Sequence, residues 1–521
     1  MSRRGRTTRQ PAEPRRSRLA AAVSAGRQHW LLALLLAAGL VLRVLTQIAY
    51  RPALLYIDSY KYLYRSDGND PVGYRVLLKP ILAVANLDTV AAVQHLLGLG
   101  MAVALYVLLL RRGTPRWLAA LAAAPLLLDG YQLQAEQTIM PDVLFETLIV
   151  AGLVVLLWGP RPSLWRLALA GVLLGASATV AQVGEIFVLP ALIYVLIVAP
   201  GWRRTLGHAA LLCVAFALPI LGYDTAADVV AGHFSLAHGG VTTFYGRAAK
   251  AADCQALQLP GSERPLCPSR GLVARLGIDG LEHSPVSPLR PLYRNLPSHE
   301  ASHLVSGFTG RVVRQQPLRV AGSILADVVK LFAVDRVTSP GDTQISRWQF
   351  QAHYPQYWPY VTVHGGTIRI GAQATSGRRV PLGSTSAMGG GAVVVKPLAE
   401  FLRGYQLNGG YTPGPALLLM VLAGLIGSAA LLLRRRMERA GQRDAARACF
   451  LMLAAAVCVL VMSDATEFSW RYQLPALVTL PAAGALGITV IIGILRPRAA
   501  GRPEPASPVA SSADVSSSQP G

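Results

Sequence analysis

Acidic residues are scarce in this chain: Asp and Glu together number 27 in 521 residues, against 49 Lys and Arg. Charge of either sign makes up only 15% of the sequence while hydrophobic residues reach 52%. That shortage excludes an ordinary pair of soluble domains, in which about a quarter of the residues are charged. The formal charge of +22 points formally toward nucleic acid. No basic stripe with interleaved aromatics is present, however, and the basic residues fall in short clusters beside apolar runs, so no nucleic-acid partner is expected. Internal repeats and inverted symmetry of the kind many transporters show are also missing.

Cysteine is sparse too, with five in the chain. Cys213, Cys449 and Cys458 lie inside apolar runs, where a small, weakly polar side chain packs without chemistry. Only Cys254 and Cys267 share a polar region. If that region faces an oxidising compartment they suit a disulfide closing a Pro-rich loop; two free thiols are the alternative. His233, His238 and His283 stand at no recognisable ligand spacing from them, so no metal site is expected and no cofactor is indicated.

What the chain has is long apolar runs. A helix crossing a bilayer core needs roughly 20 apolar residues, and ten runs are read as spans: 30–48, 87–110, 117–128, 143–158, 165–180, 186–199, 206–222, 415–433, 448–462 and 474–495, several of them short. The first follows an Arg-rich N-terminus and has no small-residue cleavage site, which fits a retained signal anchor. With that N-terminus taken as cytoplasmic, Arg111, Arg112 and Arg116, Arg161 and Arg166, Arg203 and Arg204, the group from Arg434 to Arg447, and Arg496 with Arg498 all fall on the same side. We therefore expect an all-α polytopic protein of about ten transmembrane helices in the plasma membrane, with both termini cytoplasmic. Its parts are a basic tail (1–28), an N-terminal membrane core with the functional loops (29–222), a large extracytoplasmic loop domain of mixed structure (223–411), C-terminal membrane helices (412–495) and a disordered Pro/Ser/Ala-rich tail (496–521). Within the loop domain, 318–332 has apolar residues at helical spacing around Asp327 and Lys330, which fits a helix at the interface or in that domain's core.

Polar residues then collect where the chain leaves the spans on the outer side. Asp58 follows the first span, and its functional reading is a general base taking a proton from an acceptor hydroxyl; the alternative is a helix cap or solvated carboxylate. Lys61, Arg65 and Arg75 supply positive charge suited to a leaving phosphate, or bind lipid headgroups nonspecifically. Tyr60, Tyr74 and their neighbours fit an interfacial aromatic belt. Asp142 opens a later span, where capping alone would favour an acid, and Glu136 precedes it. Glu146 and Glu185 sit in or beside apolar segments, where an ionisable group is expensive and suspect. Arg471, opening the last span, either reaches the same site or snorkels to the interface.

Taken in order, Arg43 late in the first span, Asp58 and Tyr60 after it, Met140-Pro141-Asp142, and Arg471-Tyr472 followed by Pro475 and Pro481 resemble the GT-C glycosyltransferases, specifically the protein mannosyltransferase and aminoarabinose transferase superfamily, and the long loop with Tyr245-Gly246-Arg247, Asp253-Cys254 and Leu266-Cys267-Pro268 is similar to loops in actinobacterial members. The resemblance covers roughly 30–222 and 415–495. It implies an inverting transfer of a pentose or hexose from a polyprenyl-phosphate donor to a glycan, lipid or protein hydroxyl outside the cytoplasm. It also implies Asp58 as base, Asp142 in a catalytic positioning role, and Lys61, Arg75, Arg471, Tyr60, Tyr74 and Glu136 around the substrate. The family often carries Asp-Glu in the first loop; here the pair is Asp58-Ser59, which leaves one acid and weakens the case for a divalent metal. Competing expectations are a transporter or lipid-linked-saccharide flippase using Glu146, Glu185 and Arg43, and a receptor or assembly protein built on the long loop.

Overall fold

The computed structural model describes residues 28–495 apart from 57, 64–69, 233, 237–239, 354–360, 365–366, 374–378, 386–392 and 433–439. All ten apolar runs are helical. Among the described residues, six helices are long and apolar enough to cross a membrane by length and composition: α1 (Trp30–Ala49), α4 (Leu87–Arg111), α10 (Trp202–Ala231), α17 (Gly414–Ala429, extended by a 3-10 turn), α18 (Ala440–Thr466) and α19 (Leu474–Leu495). The other four runs form the shorter helices α5 (Arg116–Leu128), α7 (Asp142–Leu156), α8 (Leu164–Val180) and α9 (Val188–Val198). The chain is thus an all-α polytopic membrane protein, with a loop domain of mixed structure between α10 and α17.

Two of the short helices are short for visible reasons. α5 stops at Asp129, whose Oδ1 accepts from the backbone N–H of Tyr131 at 3.0 Å and starts the next helix, α6 (Gly130–Gln137). α9 is preceded by a 3-10 turn, Gln182–Phe187, that carries Glu185. In lipid, water-driven burial contributes little to helix association, so small residues that let backbones approach carry the packing. A Cβ at Gly175 on α8 would stand 2.0 Å from the Phe216 carbonyl oxygen on α10, and one at Gly487 on α19 would stand 2.1 Å from that of Ala423 on α17.

The first loop carries a two-residue strand, β1 (Tyr50–Arg51), the short helix α2 (Ser59–Leu63) and α3 (Arg75–Val84), which stays helical around Pro80. The loop domain opens with α11 (Gly240–Ala251), α12 (Arg270–His283), α13 (Leu289–Asn295), α14 (Ser298–Gln315) and α15 (Pro317–Lys330). Their own core gathers Tyr245, Leu266, Leu281, Phe308 and Val312. Cys254 and Cys267 are joined in a disulfide, Cα to Cα 5.9 Å. An antiparallel sheet follows in the order β2 (Val361–His364), β3 (Thr367–Gln373), β4 (Arg379–Thr385). Next, β5 (Val393–Val394) pairs antiparallel with β1 and leads into α16 (Lys396–Leu407).

α15 settles the two expectations for 318–332 in part each way. Its Val320 and Asp327 are buried while Leu318, Leu325 and Val329 are exposed. The buried edge fastens the loop domain to the membrane bundle. Arg247, fully buried, reaches Asp327 at 2.7 Å and the Ser323 hydroxyl at 2.9 Å, and donates to the backbone oxygen of Asp464 on α18. Lys330 lies 2.7 Å from both Asp327 and Asp342. Burial works to raise the Asp327 carboxyl, but the Lys330 hydrogen bond with the Arg247 and Lys250 charges holds it below its ordinary value.

Candidate functional site

The first and second loops are sewn together by the backbone. Leu54 donates to Gln137 O at 2.9 Å and accepts from Ile139 N at 2.9 Å. Ser59, fully buried, adds a side-chain stitch: its hydroxyl donates to Ile139 O at 2.9 Å and accepts from Tyr56 N at 2.8 Å. These contacts carry Asp58, in the turn before α2, and Asp142, the first residue of α7, to the same end of the bundle.

Arg471 joins them. It sits in a 3-10 turn, Trp470–Gln473, immediately before α19. Its Nε donates to Asp142 Oδ1 at 2.7 Å, and its Nη1 is 3.7 Å from Asp58 Oδ2. Lys61 Nζ lies 3.3 Å from Asp58 Oδ1 and 2.5 Å from Asp70 Oδ2. Asp58 therefore stands between two cations, and Arg471 between two carboxylates. Of the three side chains Asp58, Asp142 and Arg471, Asp58 is the most open, 27% accessible against 14% for Asp142 and 10% for Arg471.

The loop domain supplies one wall. A 3-10 turn, Ile345–Trp348, puts the Trp348 ring under the Arg471 guanidinium at 5.3 Å and against Tyr56 at 4.5 Å. The indole N–H of Trp348 is buried without a hydrogen-bond partner among the described residues. Arg347 Nη1 donates to the Tyr56 hydroxyl at 3.2 Å. Trp348, Arg347, Asp70 and Glu467 were not singled out from the sequence. The only signal for the first two was an aromatic beside a cation in an otherwise polar stretch.

Other expected site residues fall elsewhere. Arg75 donates to the carbonyl oxygens of Tyr62, at 3.1 Å, and Lys61, so it satisfies the open end of α2. The Tyr74 hydroxyl donates to Gln94 Oε1 at 2.7 Å inside the core. The side chain of Tyr60 lies outside the described residues. Glu136 is buried between Arg43 Nη2, 2.7 Å, and His95 Nδ1, 2.8 Å. The same arginine caps α5, donating to Leu126 O at 2.9 Å and Leu127 O at 3.0 Å. Glu146 Oε2 accepts from Gln132 at 2.8 Å in this network. Arg43, Glu136 and Glu146 thus brace the broken α5–α6 segment from within. No group of three or more His, Cys, Asp or Glu among the described residues has the arrangement of a metal site.

On the far side of Arg471, the link between α18 and α19 carries Glu467, whose carboxylate accepts from the Thr343 hydroxyl of the loop domain. α12 brings Asp279 and His283, 3.2 Å apart, into electrostatic reach. Burial, then the Asp279 charge, pushes Glu467 up to about 7, while the Thr343 hydrogen bond, His283 and Arg347 oppose the rise. The hydrogen bond to Asp279 raises His283 as well. Both groups have folded values above their ordinary ones, so each contributes stability that is complete at low pH and lost as pH climbs through the folded value. Asp279 shifts down and stays ionised across that window. Glu467→Gln is accordingly expected to be more stable than the natural protein above pH 7 and little changed below pH 5, read as thermal unfolding midpoints of the full chain between pH 5 and 8. A constant difference across that range would show that Glu467 does not titrate there.

No family model matches this chain, and no curated protein matches it. Two solved structures are similar in fold. One is the archaeal oligosaccharyltransferase AglB from Archaeoglobus fulgidus in complex with an inhibitory peptide and a dolichol-phosphate, 12% identical with a TM-score of 0.40, covering 90% of this chain and 51% of that one. The other is ArnT from Cupriavidus metallidurans in the apo state, 15% identical with a TM-score of 0.31, covering 90% of this chain and 78% of that one. The chain spans about half the length of the archaeal protein. At TM-scores of 0.40 and 0.31 these likenesses assign neither a family nor an activity, and what characterises the chain is its own constellation of Asp58, Lys61, Asp142 and Arg471.

Proposed function

We propose that this protein is a membrane glycosyltransferase that moves a pentose or hexose from a polyprenyl-phosphate carrier to an acceptor hydroxyl, at the face that the basic clusters leave outside the cytoplasm. The observation that carries the reading is Arg471 held between Asp142 and Asp58. Three loops far apart in sequence converge there on the residue types that glycosyl transfer from a phosphate needs. The acceptor oxygen attacks the anomeric carbon and gives its proton to Asp58. The bond from that carbon to the phosphate oxygen breaks with inversion, and its electron pair leaves on the polyprenyl phosphate. Lys61 and Arg471 balance the charge that grows on the departing phosphate. A guanidinium has five N–H donors, so its contact with Asp142 leaves others to turn toward a phosphate. Asp142 fixes that guanidinium, and Arg75 acts through the α2 carbonyls by steadying Lys61.

The test is reconstitution. Purified full-length protein in liposomes, given a polyprenyl-phosphate sugar and a cell-envelope acceptor extract, should form a new glycoside whose anomeric configuration is opposite to that of the donor. Movement of the lipid-linked sugar across the bilayer without a new glycosidic bond would overturn the transferase and support the flippase reading.

A further inference from the structure

Two helices that begin at or beside the site, and α4 with them, end at a cavity on the opposite side of the bundle. α7 starts with Asp142 and finishes just before Trp158, α19 starts three residues after Arg471 and runs to Gly493 and beyond, and α4 ends with Arg111. At 1.5 Å per residue, the 22 residues of α19 alone separate the two ends by roughly 33 Å, the thickness of a bilayer core. There a cavity of about 600 Å³ opens between the α4–α5 turn, the end of α7 and the facing ends of α18 and α19, with Arg111, Arg112, Trp158, Gln442, Asp444 and Ile492 among its lining.

The chemistry of the lining is divided. Arg112 is buried and committed to the end of α7, donating to Leu157 O at 3.0 Å and Gly159 O at 2.9 Å. Gln442 is tied to Gly493 O at 2.6 Å, and the Asp444 carboxylate is matched by Arg447 at 3.3 Å. Arg111 is exposed at the mouth, its guanidinium laid over the Trp158 ring at 4.5 Å and its Nε 3.4 Å from Trp158 O. The rest of the lining includes apolar residues, Pro115, Pro160, Val490 and Ile492, of which Val490 is buried and Pro160 exposed. Trp117, Trp158, Trp165 and Trp202 are all exposed at this same end of the bundle, the belt that marks headgroup level in a membrane. A cationic mouth at headgroup depth over an apolar interior fits a phosphate that carries hydrocarbon behind it.

We infer that this cavity binds one anionic phospholipid, its phosphate at Arg111 and its acyl chain along the Pro160–Ile492 wall. Basic pockets between membrane helices bind acidic headgroups, and a juxtamembrane Lys or Arg near an anionic surface contributes about 1 kcal/mol, a factor of roughly fivefold in affinity. The inference is independent of the glycosyltransferase proposal and stands or falls without any activity assay.

Native mass spectrometry of the full-length protein in detergent, titrated with phosphatidylglycerol, phosphatidylcholine or inorganic phosphate, tests it. Phosphatidylglycerol should form a first adduct roughly fivefold or more tighter than phosphatidylcholine, and Arg111→Gln should remove that preference. Arg203, over Trp202 at 5.3 Å, is also an exposed cation at this end but outside the cavity, so Arg203→Gln should leave the preference intact. Equal loss in both variants, or no loss in Arg111→Gln, overturns the site. Displacement of the lipid by millimolar inorganic phosphate overturns the lipid and leaves a plain anion site.

Discussion

If the proposed function holds, Asp58→Asn should lower glycosyl transfer by about 10²- to 10⁴-fold, the range that a positioned base contributes, with little change in the KM for the lipid donor. The amide keeps the size of the carboxylate and an oxygen toward Lys61, so the site's geometry survives while proton acceptance does not. A group that acts only as the acceptor hydroxyl becomes a nucleophile should appear in kcat rather than in KM. Arg471→Lys is the contrasting variant. It retains a charge but gives up the planar fork that spans Asp142 and Asp58, so it should disturb both parameters. Steady-state transfer from a polyprenyl-phosphate sugar, with membrane insertion checked by cysteine accessibility, separates the two. An Asp58→Asn enzyme with full turnover would remove Asp58 as the base.

Arg43→Met should cost about 3–5 kcal/mol of stability, the toll of breaking a buried ion pair by deleting one partner. Arg43 is 2% exposed, and its loss leaves the Glu136 carboxylate with only the hydrogen bonds of His95 and Gln132 among the described residues and leaves the Leu126 and Leu127 carbonyls uncapped in the bundle. Adding Glu136→Gln to Arg43→Met should recover part of the loss, because a neutral amide no longer needs a counter-charge there. Unfolding by denaturing detergent, followed for both variants and for Asp58→Asn, makes the comparison direct. Asp58→Asn should unfold like the natural protein. If Arg43→Met does too, the network does not hold the break between α5 and α6.

The spans were legible because a bilayer demands long apolar runs, and no tertiary contact can disguise their absence. Asp58, Asp142 and Arg471 were legible for a related reason: each is a charged residue at the end of such a run, where topology puts them on one side. Glu136, the weaker candidate by that criterion, is buried away from them. Its partner Arg43 lies 93 positions earlier, and pairing across that distance leaves no local trace. Arg75 likewise reads as a free cation until the open carbonyls of α2 are seen beneath it. Trp348 and Arg347 were hidden in the loop domain, whose fold has no simple period. Ser59 carried a message that only the structure decodes. There the chain has a buried hydroxyl stitching Asp58's loop to Ile139, and a longer acidic side chain would part the two loops.

The convergence on Arg471 also imposes a timetable. A chain is made and inserted from its N-terminus onward, and Asp58 and Asp142 are in place long before position 471 has been synthesised. Two further closures come late as well: β1 waits for β5, more than 340 positions downstream, and Trp348 must arrive before Arg471 has its aromatic floor. Every partly inserted chain is therefore without its guanidinium clamp. The two carboxylates meet their shared cation only when the last span enters, so a nascent protein carries no assembled centre.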